Sequence, residues 1–406
     1  MKKKAIIASI LLILSVIIYF QLQNSKNADP RGSLYAGSLA CVKCHHELSI
    51  SYLHTAHFIA SSPASIKTVH GSFSRNLNVF EIDTHQQIIM EKLDSGLFQT
   101  YYSNGIFKER HRFDVVLGGI KGESYLYWKG NGLNQLPISY FTKQDKWLMS
   151  PRFAPGLADF SRIITSRCME CHASYIGDKQ DEVQRLNTAE QFDKGTLVYG
   201  IDCERCHGPG ANHVDFQTAN PDIKTAKFIA SYRTLPRARR IDMCAVCHSG
   251  NKSEMIRSTF FFLPGDTLAN FKLQVFYSPV IRTSYLDVHG NQVQLLQGSK
   301  CFISSKMDCA TCHDTHQNQR GNIALFTQKC LGCHSTANHN YCKMSNTSNA
   351  QLVRSNCIQC HMPALATRVI ISPNMDSTFT ADILVRTHHI AIYPQEARKI
   401  LQMVGK

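Results

Sequence analysis

Residues 203–213 read CERCHGPGANH. Cys203 and Cys206 are spaced Cys-x-x-Cys, His207 follows at once, and His213 lies six residues further on. A Cys-x-x-Cys pair can hold zinc, cycle as a redox disulfide or, with His directly behind it, carry a covalently attached c-type haem. In the last case each residue has a task. The two thiols add to the two vinyl groups of one porphyrin, and the adjacent imidazole turns under the ring to ligate iron.

The motif occurs seven times: Cys41-Cys44-His45, Cys168-Cys171-His172, Cys203-Cys206-His207, Cys244-Cys247-His248, Cys309-Cys312-His313, Cys330-Cys333-His334 and Cys357-Cys360-His361. Four-ligand zinc sites give no reason for a His directly after every Cys pair. The sequence therefore predicts seven covalently bound haem c groups, called sites 1 to 7 here in chain order. Fourteen of the sixteen cysteines are used, leaving Cys301 and Cys342, which an oxidising compartment is expected to join.

A haem iron in an electron carrier takes a second axial ligand, commonly His. Twelve further histidines compete for that role. His316 lies three residues past His313, at most about 11 Å of extended chain, so it is expected to reach a neighbouring haem and not its own. His213 and His339 follow their motifs by six and five residues, and the Gly-Pro turn of GPGANH directs His213 away from its own ring. His57 in YLHTAHF, expected on a half-buried helix with His54 as its rival, and His388 in VRTHHIAIYP, with His389 as its rival, are further candidates, as are His289 and His70. His46 reads as structural or solvent-facing, and His85 and His111 as polar residues on the wet face of strands.

These residues need elements to hold them. More than a hundred residues separate His45 from Cys168, and LNVFEID, QQIIMEKL, LFQTYYS and RHRFDVVL alternate in strand fashion between DSG, SNG and KGNG turns. The expected division is an anchor segment at 1–22, a linker and first haem site at 23–71, an inserted β-rich domain at 72–150, a six-haem core at 151–373, and a C-terminal segment at 374–406 with a distal His and a helix. The fold class is thus a multihaem cytochrome c, mainly α-helix and loop around stacked haems, with a β-rich insertion. A second β excursion is expected near 259–297, and YPQEARKILQMV should form a helix with Ile400, Leu401 and Val404 on one face.

Three lysines precede an apolar run from Ala5 to Phe20, the pattern of an export signal whose positive end stays in the cytoplasm. The run lacks a small-x-small cleavage site, so it reads as an uncleaved anchor in the cytoplasmic membrane, with secretion to the periplasm after cleavage as the alternative. The formal charge of +14 does not imply nucleic acid, because the basic residues are not gathered into one stripe with aromatics. Seven ferric haems with ionised propionates would offset it by about −1 each. The run RTLPRARR, Arg233 to Arg240, is a candidate for pairing with propionates, with a solvated basic loop as the competing reading.

CERCHGPGANH, DMCAVCHSG at 242–250, CFISSKMDCATCHDTH at 301–316, CLGCHSTANHNYC at 330–342 and NCIQCHMP at 356–363 resemble the multihaem cytochromes related to hydroxylamine oxidoreductase and its tetrahaem cytochrome c partner, the cytochrome c-552/c-554-like group. The resemblance covers most of 160–365 plus the first motif. It implies that His213 and His316 are distal ligands to neighbouring haems. Catalytic relatives carry a Lys in place of a proximal His, or a Tyr bonded to the active porphyrin. All seven motifs here end in His, which favours an electron carrier exchanging electrons with a quinone-linked donor or a soluble cytochrome. The alternative is an oxidoreductase acting on a small nitrogen or sulfur compound at one five-coordinate haem.

Overall fold

The computed structural model describes residues 29–180, 188–250, 253–273, 286–335, 341–346, 350–372 and 383–404. The apolar run at 5–20 and His339 lie outside them. Among the described residues no helix is long and apolar enough to cross a membrane.

The fold is mixed α/β, with more sheet than the expected helix-and-loop cytochrome. Strands β2 (Val79–Glu81), β3 (Gln86–Leu93), β4 (Gly96–Ser103) and β5 (Ile106–Arg112) form an antiparallel meander. Asn104 and Gly105, between β4 and β5, both have positive φ, as a two-residue hairpin turn requires. A seven-stranded sheet runs β1 (Ser61–Pro63), β6 (Val115–Gly118), β7 (Glu123–Lys129), β8 (Gly132–Gln135) and β11 (Ile163–Ile164), with β9 (Ile138–Phe141) pairing both β7 and β10 (Lys146–Met149). Strands β1 and β11 lie outside 72–150, so the chain on both sides of that stretch enters the sheet.

The two sheets share a core of Ile88, Met90 and Leu97 from the meander, Phe113 from the link between β5 and β6, and Tyr125, Ile138, Trp147 and Met149 from the larger sheet. Gln99 bridges them, donating from Nε2 to the Ile138 carbonyl at 2.7 Å and accepting the Ile138 N–H at 3.1 Å. Both partners of a buried amide are thereby satisfied. The other face of the larger sheet packs Val115, Leu126, Leu133 and Ile164 against Met169, Ile176, Phe192 and Phe260. This second core ties the sheet to the helix carrying the second motif, Ser166–His172, and to the hairpin β12 (Ala173–Asp178) and β13 (Phe192–Tyr199).

Beyond Tyr199 regular structure is sparse. Most helices are short, as in Cys203–His207, Gln292–Gln297 and Cys357–His361, with longer ones at Arg237–His248 and Pro394–Val404. Only a small cluster of Ala245, Val246, Phe262, Leu268, Phe271 and Val293 forms an aliphatic and aromatic core among these described residues. The expected β excursion at 259–297 is corrected: Thr259–Phe261 is a 3₁₀ turn and Gln292–Gln297 an α-helix, while 274–285 lies outside the described residues. Phe260 and Phe262 are buried in different clusters on either side of exposed Phe261, so alternation that reads as a strand is met by one turn.

Candidate haem-binding site

Aspartates start two of the motif helices. Asp202 accepts the Arg205 N–H at 2.9 Å ahead of Cys203, and Asp308 accepts the Thr311 N–H at 3.2 Å ahead of Cys309. Such N-caps fix the first turn; Cys203–His207 then forms one short helix, while at the fifth motif a 3₁₀ turn covers Cys309–Thr311 and Cys312 and His313 follow it. One continuous cavity of about 3550 Å³ is lined by all seven proximal histidines and all sixteen cysteines. A drug-sized ligand site spans only about 300–1,000 Å³.

Within it four motif histidines each face a histidine from outside the motifs. Ring centres lie 6.4 Å apart for His45 and His213, 5.9 Å for His207 and His316, 6.1 Å for His313 and His388, and 6.1 Å for His57 and His248. Two imidazoles ligating opposite faces of one metal, with metal–nitrogen bonds of about 2.0–2.1 Å and about 1.1 Å from nitrogen to ring centre, have ring centres about 6.2–6.4 Å apart. The donor set therefore fits bis-histidine haem at sites 1, 3, 4 and 5. Each pair joins a motif to a histidine from elsewhere in the chain.

Several rings are also fixed through Nδ1, leaving Nε2 for a metal. His172 donates to the Ala60 carbonyl at 3.2 Å, His207 to Ala230 at 3.2 Å, His213 to Lys227 at 2.9 Å and His361 to Ala391 at 3.0 Å. Burial pushes His57 and His388 down to about 4 and also lowers His172, His207, His248, His289 and His313. Neutral imidazole, the ligating form, is thus the resting state.

His289 and His389 also line the cavity. His289 lies within electrostatic range of His172 and His248. His389 Nδ1 is 3.1 Å from the Tyr393 hydroxyl. His70 is corrected as a candidate ligand: its ring is 61% exposed, its Nδ1 is bound to the buried Glu123 carboxylate, and it does not line the cavity. His54, His46, His85 and His111 are likewise absent from the lining. His57 sits at the start of a 3₁₀ turn, Phe58–Ala60, and not on the expected helix, which ends at Tyr52.

His57 is held by the residues leading into the third motif. The Ile201 N–H donates to the His57 carbonyl at 2.9 Å, and Gly200, at φ +64°, passes so close that an added Cβ would sit 2.1 Å from the Phe58 oxygen. Gly200→Ala should cost about 1–3 kcal/mol, since backbone cannot yield as a flexible side chain does. A lowered urea midpoint checks this.

Thiols of separate motifs meet. Cys41 and Cys203, Cys171 and Cys247, Cys244 and Cys309, and Cys330 and Cys357 lie within hydrogen-bonding reach of each other. Cys206 lies near Cys244, and Cys312 near Cys330. The attachment points thus run 1–3–4–5–6–7, with site 2 branching from site 4. Cys301 and Cys342 are not joined, contrary to expectation; Cys301 lies near Cys333 and Cys342 near Cys360. Of the basic run, Arg233 lines the cavity, whereas Arg237 bonds the Met307 carbonyl at 2.8 Å, Arg239 pairs with Asp242 and Arg240 with Asp308 at 2.8 Å. Those three arginines each hold a protein group in this arrangement.

A buried network that the sequence reading missed locks sites 1 and 3 together. Arg31 Nε and Nη2 donate to the two Asp29 oxygens at 2.8 Å each, and Nη2 also reaches Asp202 at 2.6 Å and Glu204 at 3.1 Å. Glu204 further accepts N–H groups of Ala36, Gly37 and Gly210. Burial opposes both charges, yet the hydrogen bonds between them prevail, holding Asp29 below the usual carboxylate range and Arg31 above its ordinary value. The only sequence signal was charge inside a motif, in CERC.

Residues 156–208, which carry the second and third motifs, match the family described as cytochrome c554 and c-prime. Of solved structures, an outer cell wall cytochrome, OcwA, matches with a TM-score of 0.56 at 18% identity, covering 90% of this chain and 82% of that one. No curated protein matches. The likeness to OcwA is one of fold; with the partial family match and the repeated attachment motif, it supports a multihaem c-type cytochrome.

Proposed function

We propose that this chain is an exported heptahaem c-type cytochrome that transfers electrons through closely packed, mostly bis-histidine haems. The observation that carries the reading is the set of four histidine pairs with ring centres 5.9–6.4 Å apart. Bound there, haem c supplies reversible one-electron exchange at potentials set by ligand, burial and nearby charge. The chain's own residues would hold the iron of sites 1, 3, 4 and 5 between two imidazoles and bring the attachment points of successive sites together. A pair of histidines leaves no open iron position for substrate, which favours a carrier over an enzyme at those four sites.

Export follows from the N-terminal run, and tethering to the cytoplasmic membrane through residues 5–20, facing the periplasm, is the reading of that sequence. A quinone-linked donor or a soluble cytochrome then suits the location as partner. His316→Ala should leave the number of attached haems unchanged while converting one from low to high spin in the ferric spectrum. An unchanged spectrum removes His316 as a ligand. Rapid binding of nitrite, hydroxylamine or carbon monoxide by the parent protein, with steady turnover, moves the assignment to an oxidoreductase.

A further inference from the structure

Two clusters of charge, one buried and one built on buried Lys272 with two half-buried arginines, flank neighbouring sites and have opposite sign. Where sites 1 and 3 meet, the Asp29, Asp202 and Glu204 carboxylates surround a single guanidinium, Arg31, with side-chain exposures of 7, 7, 1 and 5%. Within this network two negative charges are in excess, offset in part by the Arg205 guanidinium, which also lies within electrostatic range of Cys206 of site 3. Glu204 lies between the third motif's two cysteines, and Asp202 directly before the first of them.

Where sites 2 and 4 meet, the balance reverses. Lys272 is fully buried, and its Nζ donates to the Val246 carbonyl at 3.0 Å, between the two cysteines of the fourth motif. Arg167, directly before Cys168, lies 3.5 Å from Glu170, which sits between the second motif's cysteines. Arg205, although within the third motif, turns toward this junction, donating to the Thr259 carbonyl at 2.6 Å and the Glu170 carbonyl at 3.2 Å. Three cations thus face one carboxylate, leaving two positive charges in excess. Lys272 and Arg167 both lie within electrostatic range of Cys171, and Lys272 and Arg205 of Cys247.

Charges held largely out of water act on a nearby redox centre with reduced screening. Negative charge disfavours the added electron and positive charge favours it. We propose that these two clusters fix a redox gradient along the protein, with sites 1 and 3 at lower reduction potential than sites 2 and 4. An electron delivered at the N-terminal end then moves downhill to the branch point. The change is one electron per iron, ferric to ferrous, with no bond made or broken; an external one-electron donor supplies it and an external one-electron acceptor removes it. The inference rests on the multihaem reading and adds a direction to it.

The test is a potentiometric titration of the haem-loaded protein, followed by absorbance, for the parent and three variants. Lys272→Met should lower the high-potential part of the curve by about tenfold in the reduction equilibrium constant, ~59 mV for a one-electron couple. Glu170→Gln should raise that same part. Asp29→Asn, outside every motif, should raise the low-potential part. Opposite shifts at one junction distinguish a charge effect from general damage. Superimposable curves, or same-direction shifts for Lys272→Met and Glu170→Gln, overturn the gradient while seven haems by denaturing mass leave the multihaem reading standing. Fewer haems in the fully matured parent overturn both.

Discussion

Made without haem attachment, the chain from about residue 200 onward should fail to hold this fold, while the two-sheet region persists. The sheets bury Phe113, Tyr125, Ile138, Trp147 and their neighbours in a contiguous core of their own. Among the described residues beyond 200, one cluster of six buried apolar residues lies beside a cavity of about 3550 Å³. Apolar burial contributes about 25 cal/mol per Å², so a region whose interior is formed by porphyrin faces loses its main driving force without them. Expression with every motif cysteine changed to serine, followed by limited proteolysis, should leave a resistant fragment spanning roughly residues 61–199 and digest the rest. Equal resistance across the chain would show that the polypeptide packs without haem.

Replacing Arg31 should have the largest effect of any single substitution outside the motifs. Arg31→Met removes the sole guanidinium among three buried carboxylates, and breaking such a network costs about 3–5 kcal/mol. The pH dependence should reverse as well. In the parent Asp29 is held below its unfolded value, so the folded state binds fewer protons and that stabilisation, present above about pH 4, is lost as pH falls through the folded value. In the variant the carboxylates repel, their folded values rise above the unfolded ones, and stability improves as pH falls from neutrality toward about 4. Urea midpoints at pH 7 and pH 5 should therefore converge for the two proteins. A constant gap would mean that Arg31 acts by packing alone.

What the sequence disclosed was local chemistry with strict spacing. Seven Cys-x-x-Cys-His motifs, the short tether from His313 to His316 and the turn in GPGANH are covalent or steric statements, and the structure sets His213 and His316 opposite histidines of other motifs. Strand alternation was equally readable where one face is buried, as in QQIIMEKL, whose Ile88 and Met90 are fully buried. Tertiary choices were not readable. Nothing near His70 shows that Glu123, distant in sequence, captures its ring, and FFFL resembles a strand until its phenylalanines are divided between two clusters. Lys272 carries no motif at all; its burial against the Val246 carbonyl exists only once the chain has closed.

Electron transfer along this chain depends on the number of haems attached, and denaturing mass analysis reads that number directly. Protein matured in a host competent for c-type haem should weigh the polypeptide plus seven haems, with one addition lost for each motif whose cysteines are replaced. A fully matured chain carrying four or fewer would contradict the account.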